Sequence, residues 1–209
     1  MLIMDSVVHA IGERVVLDHA CLALGAGEIV VLAGPPGSGK TSVLRIIAGT
    51  LKPLTGTVAW NDILLDANYR RRYLTYAGTS ASIIRDYELG DFLRMTAADS
   101  QLSDSQIGAR SEDILGRLGL RARYRQPLAA LSGSEMVKAM LAACLVGAPR
   151  LILLDHSLAL LDGKDRAVAW DALREAAREG AGLLISGYPE QVQPPDGARV
   201  LQIADGRIR

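Results

Sequence analysis

Gly34-Pro35-Pro36-Gly37-Ser38-Gly39-Lys40-Thr41 matches the pattern G-x-x-x-x-G-K-[ST] at every fixed position. The β-branched run at residues 29–32 predicts a strand before this stretch, and apolar residues at helical spacing begin at Lys40 and stop at Gly49. In such a strand–loop–helix unit, glycines let backbone N–H groups turn toward phosphate oxygens at the helix N-terminus, where the helix dipole favours anions. The stretch therefore predicts an α/β fold with a phosphate-binding loop.

Three side chains have expected roles at this loop. Lys40 would reach the β- and γ-phosphates, and the Thr41 hydroxyl would ligate Mg²⁺. Residues 151–154 are apolar and are followed by Asp155, which predicts a buried strand that brings a carboxylate to the Mg²⁺ coordination shell. We expect ATP and Mg²⁺ as cofactors, with Thr41 and Asp155 at the metal. The residues of the loop and helix expected to bind the nucleotide are Gly34, Pro35, Pro36, Gly37, Ser38, Gly39, Lys40, Thr41 and Ser42.

Strands alternate with helices through most of the chain, which predicts a layered α/β core. Residues 165–178 have the pattern of an amphipathic helix, and apolar residues also recur at helical spacing between residues 86 and 125. We therefore expect a P-loop NTPase core, with a mixed sheet and flanking helices, that is interrupted by a helical insertion. The boundaries predicted within a single domain, 1–209, are 1–79 and 148–209 for the core and 80–147 for the insertion.

Composition argues against some partners. The 209 residues contain 23 Lys plus Arg and 23 Asp plus Glu, so no bulk positive charge favours nucleic acid. One Phe and two Trp are too few for a platform that stacks single-stranded bases. No basic region followed by a long apolar run opens the chain, and no apolar stretch is long enough to cross a bilayer. We expect a cytoplasmic protein that would serve a membrane as a peripheral subunit.

Several shorter motifs follow the phosphate-binding loop in a fixed order. Residues 47–58 contain the spacing A-G-x-x-x-P-x-x-G-x-V, Leu131-Ser132-Gly133-Ser134-Glu135 precedes Asp155, and Leu160-Leu161-Asp162 follows it. In this order the motifs resemble those of the ATP-binding subunits of ABC transporters, over nearly the whole chain. Residues 131–135 stand in the place of that family's L-S-G-G-Q signature, and residues 160–162 in the place of its dimer-facing A-L-D.

The resemblance implies a head-to-tail dimer, either a homodimer or a heterodimer with another ATP-binding subunit. Each ATP would lie between the phosphate-binding loop of one subunit and Ser132 and Gly133 of the other. The helical insertion would dock onto an integral membrane subunit. The implied function is that of the ATP-binding subunit of a membrane transporter complex, peripheral on the inner face of the cell membrane.

Three positions that are catalytic in the family carry other residues here. The Glu that follows the strand-end Asp and polarises the attacking water is replaced by His156. The late His that touches the γ-phosphate aligns with Tyr188, and the Gln that senses Mg²⁺ aligns with Ser80. A general base typically contributes about 10²–10⁴ in rate. We therefore expect ATP binding with hydrolysis that is weak or lost, and treat His156, Tyr188 and Ser80 as the candidate catalytic residues.

Two further departures concern nucleotide binding. The family's aromatic residue that stacks on adenine would lie near Ile11-Gly12, where no aromatic residue occurs. In the signature, Ser134 replaces a Gly and Glu135 replaces the Gln. Because a carboxylate close to a triphosphate is unfavourable, we expect Glu135 either to point away from the nucleotide or to be paired with a cation.

Two alternatives remain open at this point. One is an ATP-dependent scaffold that stabilises or regulates a membrane complex without transport, which the missing Gln favours. The other is a soluble P-loop kinase or unrelated ATPase, in which Arg85 or Asp86 would position the acceptor. The signature-like segment at residues 131–135 has no role in such a kinase.

Overall fold

The computed structural model describes residues 1–78 and 85–209, with Pro189 described by its backbone alone. The N-terminal part forms an antiparallel four-stranded sheet of strand order β2-β1-β4-β5. Its central strand β1 pairs with β2 on one side and with β4 on the other. The bounds are Leu2–Ile11 for β1, Arg14–Leu24 for β2, Thr55–Trp60 for β4 and Ile63–Leu64 for β5.

A six-stranded sheet carries the phosphate-binding loop and has the strand order β10-β9-β3-β8-β7-β6. Five of its strands are parallel, and β10 pairs antiparallel with β9 at one edge. This is the mixed sheet expected of a P-loop NTPase core. The bounds are Ile29–Ala33 for β3, Leu74–Ala77 for β6, Leu151–Asp155 for β7, Gly182–Ser186 for β8, Arg199–Ala204 for β9 and Arg207–Ile208 for β10.

Seven α-helices and three short 3₁₀ segments are formed by the described residues. The α-helices are α1 (Lys40–Ala48), α2 (Ala67–Tyr73), α3 (Leu89–Thr96), α4 (Asp104–Arg117), α5 (Gly133–Val146), α6 (Gly163–Arg178) and α7 (Pro189–Val192). The 3₁₀ segments are Arg121–Arg123, Leu128–Ala130 and Ser157–Leu160. In the described ranges, no helix has both the length and the apolar character needed to cross a bilayer.

The apolar run of β7 is continuous because both faces of this strand are buried. Ile152 and Leu154 pack into the hydrophobic cluster that also contains helices α3 to α6, whereas Leu151 and Leu153 pack into the cluster around α1 and the antiparallel sheet. A parallel strand covered on both faces has no solvent side and therefore no alternation of polar residues. Asp155, the last residue of β7, therefore lies at the carboxyl end of the parallel strands.

Helix α6 begins two residues earlier than the sequence pattern indicates. The side chain of Asp162 accepts a hydrogen bond from the backbone N–H of Asp165 at 2.8 Å, so Asp162 is the N-cap and Gly163 the first helical residue. The cap satisfies an N–H group that the helix leaves without a backbone partner, and apolar periodicity carries no information about it.

Gly56 lies where β4 passes closely over a bulge in β1. Its φ is +90°, and a Cβ atom there would lie 2.6 Å from the carbonyl oxygens of Asp5 and Ser6. In contrast, a Cβ on Gly108, inside α4, would meet no atom within 4 Å. The backbone therefore requires glycine at position 56, whereas position 108 has space for a side chain.

We expect Gly56→Ala to lower the free energy of unfolding by about 2 kcal/mol or more, because it combines a left-handed backbone with a backbone clash. The matched control Gly108→Ala should raise the free energy of unfolding by about 0.5–1 kcal/mol through helix propensity. Urea unfolding followed by circular dichroism measures both. Equal effects of the two substitutions would contradict the assigned close approach.

Candidate nucleotide-binding site

The phosphate-binding loop, residues 34–41, connects the end of β3 to the first turn of α1. Gly37 and Gly39 have φ values of +73° and +107°, in the region that favours glycine. Gly39 is the N-cap of α1 and provides no side-chain hydrogen bond to the helix. The N–H groups of the first helical turn therefore remain available to donate hydrogen bonds to an anion.

Two of the fixed glycines are also required by packing. A Cβ on Gly34 would lie 2.4 Å from the carbonyl oxygen of Ile203 in β9, and a Cβ on Gly39 would lie 2.8 Å from the side chain of Leu17 in β2. A Cβ on Gly37 would meet no atom within 4 Å, so its positive φ alone requires glycine. Neighbouring strands thus fix the path of the loop from two sides.

Lys40 is buried at the base of the loop. Its ammonium donates hydrogen bonds to the carbonyl oxygens of Gly34 at 2.7 Å and Pro35 at 2.9 Å, which uses two of its three N–H groups. Burial lowers the pKa of Lys40 below its usual range, while the Asp155 carboxylate opposes that shift. A buried cation of this kind gains a favourable partner when a phosphate group enters.

Asp155 is held by hydroxyl groups from three different elements. Its carboxylate accepts hydrogen bonds from Ser186 at 2.5 Å, Thr41 at 3.2 Å and Tyr76 at 3.4 Å. Burial raises the pKa of the Tyr76 phenol, the largest influence on that group, which therefore stays protonated and able to donate. We call this arrangement the hydroxyl clamp, and it fixes one carboxylate next to the Thr41 hydroxyl.

Sequence reasoning missed Tyr76 and Ser186. Both belong to strands that flank β7, and in the register of the sheet Ser186 is the direct partner of Asp155. Polar residues near the carboxyl ends of adjacent parallel strands meet at one edge of a sheet, and this signal could have identified Ser186. Tyr76 carries no such signal, since the edge strand β6 has only four residues and too little periodicity to predict a strand.

The residues present fit a magnesium-bound nucleoside triphosphate. A cavity of about 460 Å³ is lined by the loop, by Thr41 and by Ser42, and typical ligand pockets have a similar size. Mg²⁺ in nucleotide sites is held by one or two protein oxygen ligands together with phosphates and water, which Thr41 and Asp155 match. No group of three or more metal-ligating side chains occurs in the described residues, and the Ser38 hydroxyl is buried without a partner in that same part of the chain.

His156 and Tyr188 line the same cavity as the loop. Their ring centroids are 6.0 Å apart, and the Tyr188 ring centroid lies 5.2 Å from the Lys40 ammonium. The backbone N–H of His156 donates to the hydroxyl of Ser186 at 3.1 Å, and its φ of +55° is left-handed. Two of the three candidate catalytic residues thus come together at the cavity. The third, Ser80, lies outside the described residues.

The signature segment forms the N-terminus of α5. Ser132 is the N-cap, and its hydroxyl accepts a hydrogen bond from the N–H of Glu135 while the Glu135 carboxylate accepts one from the N–H of Ser132. Arg123 donates to the same carboxylate at 2.8 Å. Glu135 is therefore paired, as the sequence led us to expect, and the exposed Ser132 and Gly133 are not among the residues that line the Lys40 cavity.

This combination of loop, buried lysine and clamped carboxylate defines a P-loop nucleotide-binding protein. Comparison with known proteins gives the particular family. The profile described as "ABC transporter" matches residues 17–159. The chain is 31% identical over 205 residues to the lipoprotein-releasing system ATP-binding protein LolD 1 of Caulobacter vibrioides, covering 94% of this chain and 87% of that one. It is 31% identical over 195 residues to the cytochrome c biogenesis ATP-binding export protein CcmA of Cupriavidus pinatubonensis, covering 92% and 84%.

Solved structures agree at the level of the fold. An ATP-binding subunit of an ABC transporter superimposes with a TM-score of 0.88 at 23% identity, over 100% of this chain and 88% of that chain. A dimeric bacterial ABC transporter cassette gives a TM-score of 0.85 at 23% identity, over 100% and 97%. The chain belongs to the ABC transporter family and is an ATP-binding subunit of it. Such subunits bind ATP with Mg²⁺ and form dimers that work with membrane transport subunits.

The ion pair between Arg123 and Glu135 generates a stability prediction. The N–H and hydroxyl of Ser132 and the guanidinium of Arg123 hold the pKa of Glu135 below its usual range, with the backbone N–H first among these causes. A carboxylate with a lowered pKa stabilises the folded state above its unfolded pKa, and this contribution is lost as the pH falls through the folded pKa.

We expect a double-mutant cycle of Arg123→Ala and Glu135→Gln to give a coupling of about 0.5–1 kcal/mol in the free energy of unfolding at neutral pH. Gln keeps the reciprocal cap, so the cycle isolates the ion pair. The coupling should vanish as Glu135 is protonated at acid pH. The neighbouring Arg125→Ala is the control and should show no coupling with Glu135→Gln; coupling that persists in acid would contradict the assignment.

Proposed function

We propose that this chain is an ATP-binding subunit that binds Mg²⁺–ATP and hydrolyses it weakly or not at all. One observation carries this proposal: among the described residues that line the Lys40 cavity, none is Asp or Glu. Asp155 is buried behind Thr41, and its oxygens are engaged by the hydroxyl clamp. The described part of the cavity wall therefore offers no carboxylate base that could activate water.

The binding half of the machinery is complete in this proposal. The loop N–H groups and Lys40 hold the phosphates, while Thr41 and Asp155 hold Mg²⁺ directly or through its water ligands. When bound, the metal neutralises charge on the β- and γ-phosphate oxygens. Phosphate binding requires the Lys40 ammonium to share its N–H groups between the phosphate and the carbonyl oxygens of Gly34 and Pro35.

His156 is a poor replacement for the missing carboxylate. A neutral imidazole accepts one proton at one ring nitrogen, whereas a carboxylate presents two acceptor oxygens and a negative charge that orients the attacking water. The ring of His156 also lies beside Tyr188. We infer that these two rings close the γ-phosphate end of the cavity and that neither activates water efficiently.

Dimerisation completes the site in this proposal. Ser132 and Gly133 are exposed at the start of α5, where N–H groups and the helix dipole favour a phosphate of the partner subunit. A heterodimer suits a hydrolysis-impaired subunit best, because this chain would then supply its signature to the intact site of a better-equipped partner. A homodimer would bind two ATP molecules as a nucleotide-dependent clamp.

The membrane partner is proposed from the family. Dimers of such subunits work with membrane transport subunits, so this chain would lie peripherally on the inner face of the cell membrane. A scaffold that holds a membrane complex together without transport is the second candidate. The lack of a carboxylate among the described cavity residues favours the scaffold, since a scaffold needs nucleotide binding but no turnover.

We expect the purified chain to bind Mg²⁺–ATP and to show negligible turnover, and Lys40→Ala to abolish the binding. His156→Ala should change turnover less than about threefold, whereas His156→Glu should raise it at least about tenfold by restoring part of a general-base contribution. Binding is measured by calorimetry and turnover by phosphate release. Brisk turnover in the wild type that His156→Ala removes would contradict the proposal and make His156 the base.

A further inference from the structure

The Lys40 cavity has a second end, formed by the β1–β2 hairpin. Ile11, Arg14 and Val16 line it there, away from the phosphate-binding loop in the sequence. Ile11 and Arg14 are directly opposed in the register of the two strands, so their side chains lie next to each other on one face of the hairpin. A nucleotide whose triphosphate lies at Lys40 and that extends along the cavity would bring its base to the hairpin residues.

The described side chains at the hairpin end offer apolar contacts and hydrogen-bond donors but no hydrogen-bond acceptor. Ile11 and Val16 offer apolar contact, and Ile11 is 64% exposed, so it presents a surface to a flat ring. Arg14 is also exposed, and its guanidinium carries five N–H donors in a fixed fork and no acceptor. Among the described lining residues at the hairpin end, no side chain can accept a hydrogen bond from the amino group of adenine.

A guanidinium group matches the hydrogen-bonding edge of guanine better than that of adenine. Guanine presents two acceptors, O6 and N7, to a bidentate Arg, whereas adenine presents N7 as an acceptor and its 6-amino group as a donor. The planar guanidinium can also stack on a base, in place of an aromatic ring. An Arg at this end therefore favours a 6-oxopurine.

We propose that Arg14 recognises the base and that this subunit accepts GTP at least as well as ATP. The inference rests on the proposed nucleotide site and adds the class of base that the site takes. Arg14 also borders a neighbouring groove that contains Asp18 and Asp205. Asp18 is already paired with Arg207 at 2.8 Å, which leaves Asp205 as the competing carboxylate for Arg14 on that side.

The experiment compares the dissociation constants of the Mg²⁺ complexes of ATP, GTP, ITP and CTP for the full chain by calorimetry. We expect GTP and ITP to bind about fivefold more tightly than ATP, the low end of the range for a bidentate Arg contact. ITP shares O6 and N7 with GTP but lacks the 2-amino group. Equal binding of GTP and ITP would therefore assign the preference to the edge that Arg14 reads.

Variants of Arg14 distinguish recognition of the base from a general effect of the positive charge. Arg14→Ala should weaken GTP and ITP about fivefold and ATP less than about twofold. Arg14→Lys keeps the charge but not the fork, and should lose the GTP preference as completely as the alanine variant does. Glu13→Ala, an exposed neighbour in the same turn that does not line the cavity, is the matched control and should keep the preference.

Two outcomes overturn the inference and leave the proposed function unaffected. A smaller dissociation constant for ATP than for GTP would do so. An equal loss for all four nucleotides in Arg14→Ala would also overturn it, because Arg14 would then contact phosphate instead of base. By contrast, no binding of any nucleotide, or binding that survives Lys40→Ala, would contradict the proposed function itself. Unfolding temperatures of the variants check that the hairpin stays folded.

Discussion

The carboxylate of Asp155 is the point on which the arrangement of this site depends. A buried charge is tolerated only where hydrogen bonds or opposite charges compensate its desolvation, and Asp155 is 4% exposed. Three hydroxyls supply that compensation, from α1, β6 and β8, and a buried lysine lies nearby. Satisfying this one group therefore ties the phosphate-binding loop to the ends of three parallel strands. The hydrogen bond from Thr41 therefore holds the end of the loop next to the buried carboxylate.

The sequence predicts those elements whose signals lie within a short stretch of the chain. The loop, helix α1 and strand β7 were predicted because the glycine spacing, the helical periodicity and the continuous apolar run are all local signals, and the fold class is confirmed. Helix α2 was missed because its sequence is rich in arginine and has no buried residue. Strand β6 was missed because an edge strand of four residues carries too little periodicity. Tyr76 was missed with it, since its contact with Asp155 spans 79 positions in the chain.

Glu135 and His156 both replace residues typical of the family, and the structure accommodates the two replacements differently. Glu135, in the place of a glutamine, has a cation and a backbone N–H as partners, and it keeps the cap of α5 that a glutamine would also provide. The N-terminal cap of α5 is therefore formed with Glu at this position. His156 stands in the place of a carboxylate, and its backbone N–H donates a hydrogen bond to the Ser186 hydroxyl. Among the described residues that line the cavity, no carboxylate replaces the lost charge.

This contrast explains how binding and chemistry can separate in one P-loop subunit. In the proposed site, phosphate and metal binding depend on backbone N–H groups, on Lys40 and on the hydroxyl clamp, which packing fixes in position. Hydrolysis would depend in addition on a base beside the γ-phosphate, and we propose that the rings of His156 and Tyr188 occupy that position. Binding energy that is not used for chemistry remains available to hold two subunits together across the nucleotide. A chain of this kind suits a complex in which nucleotide occupancy is the signal and a better-equipped partner performs the hydrolysis.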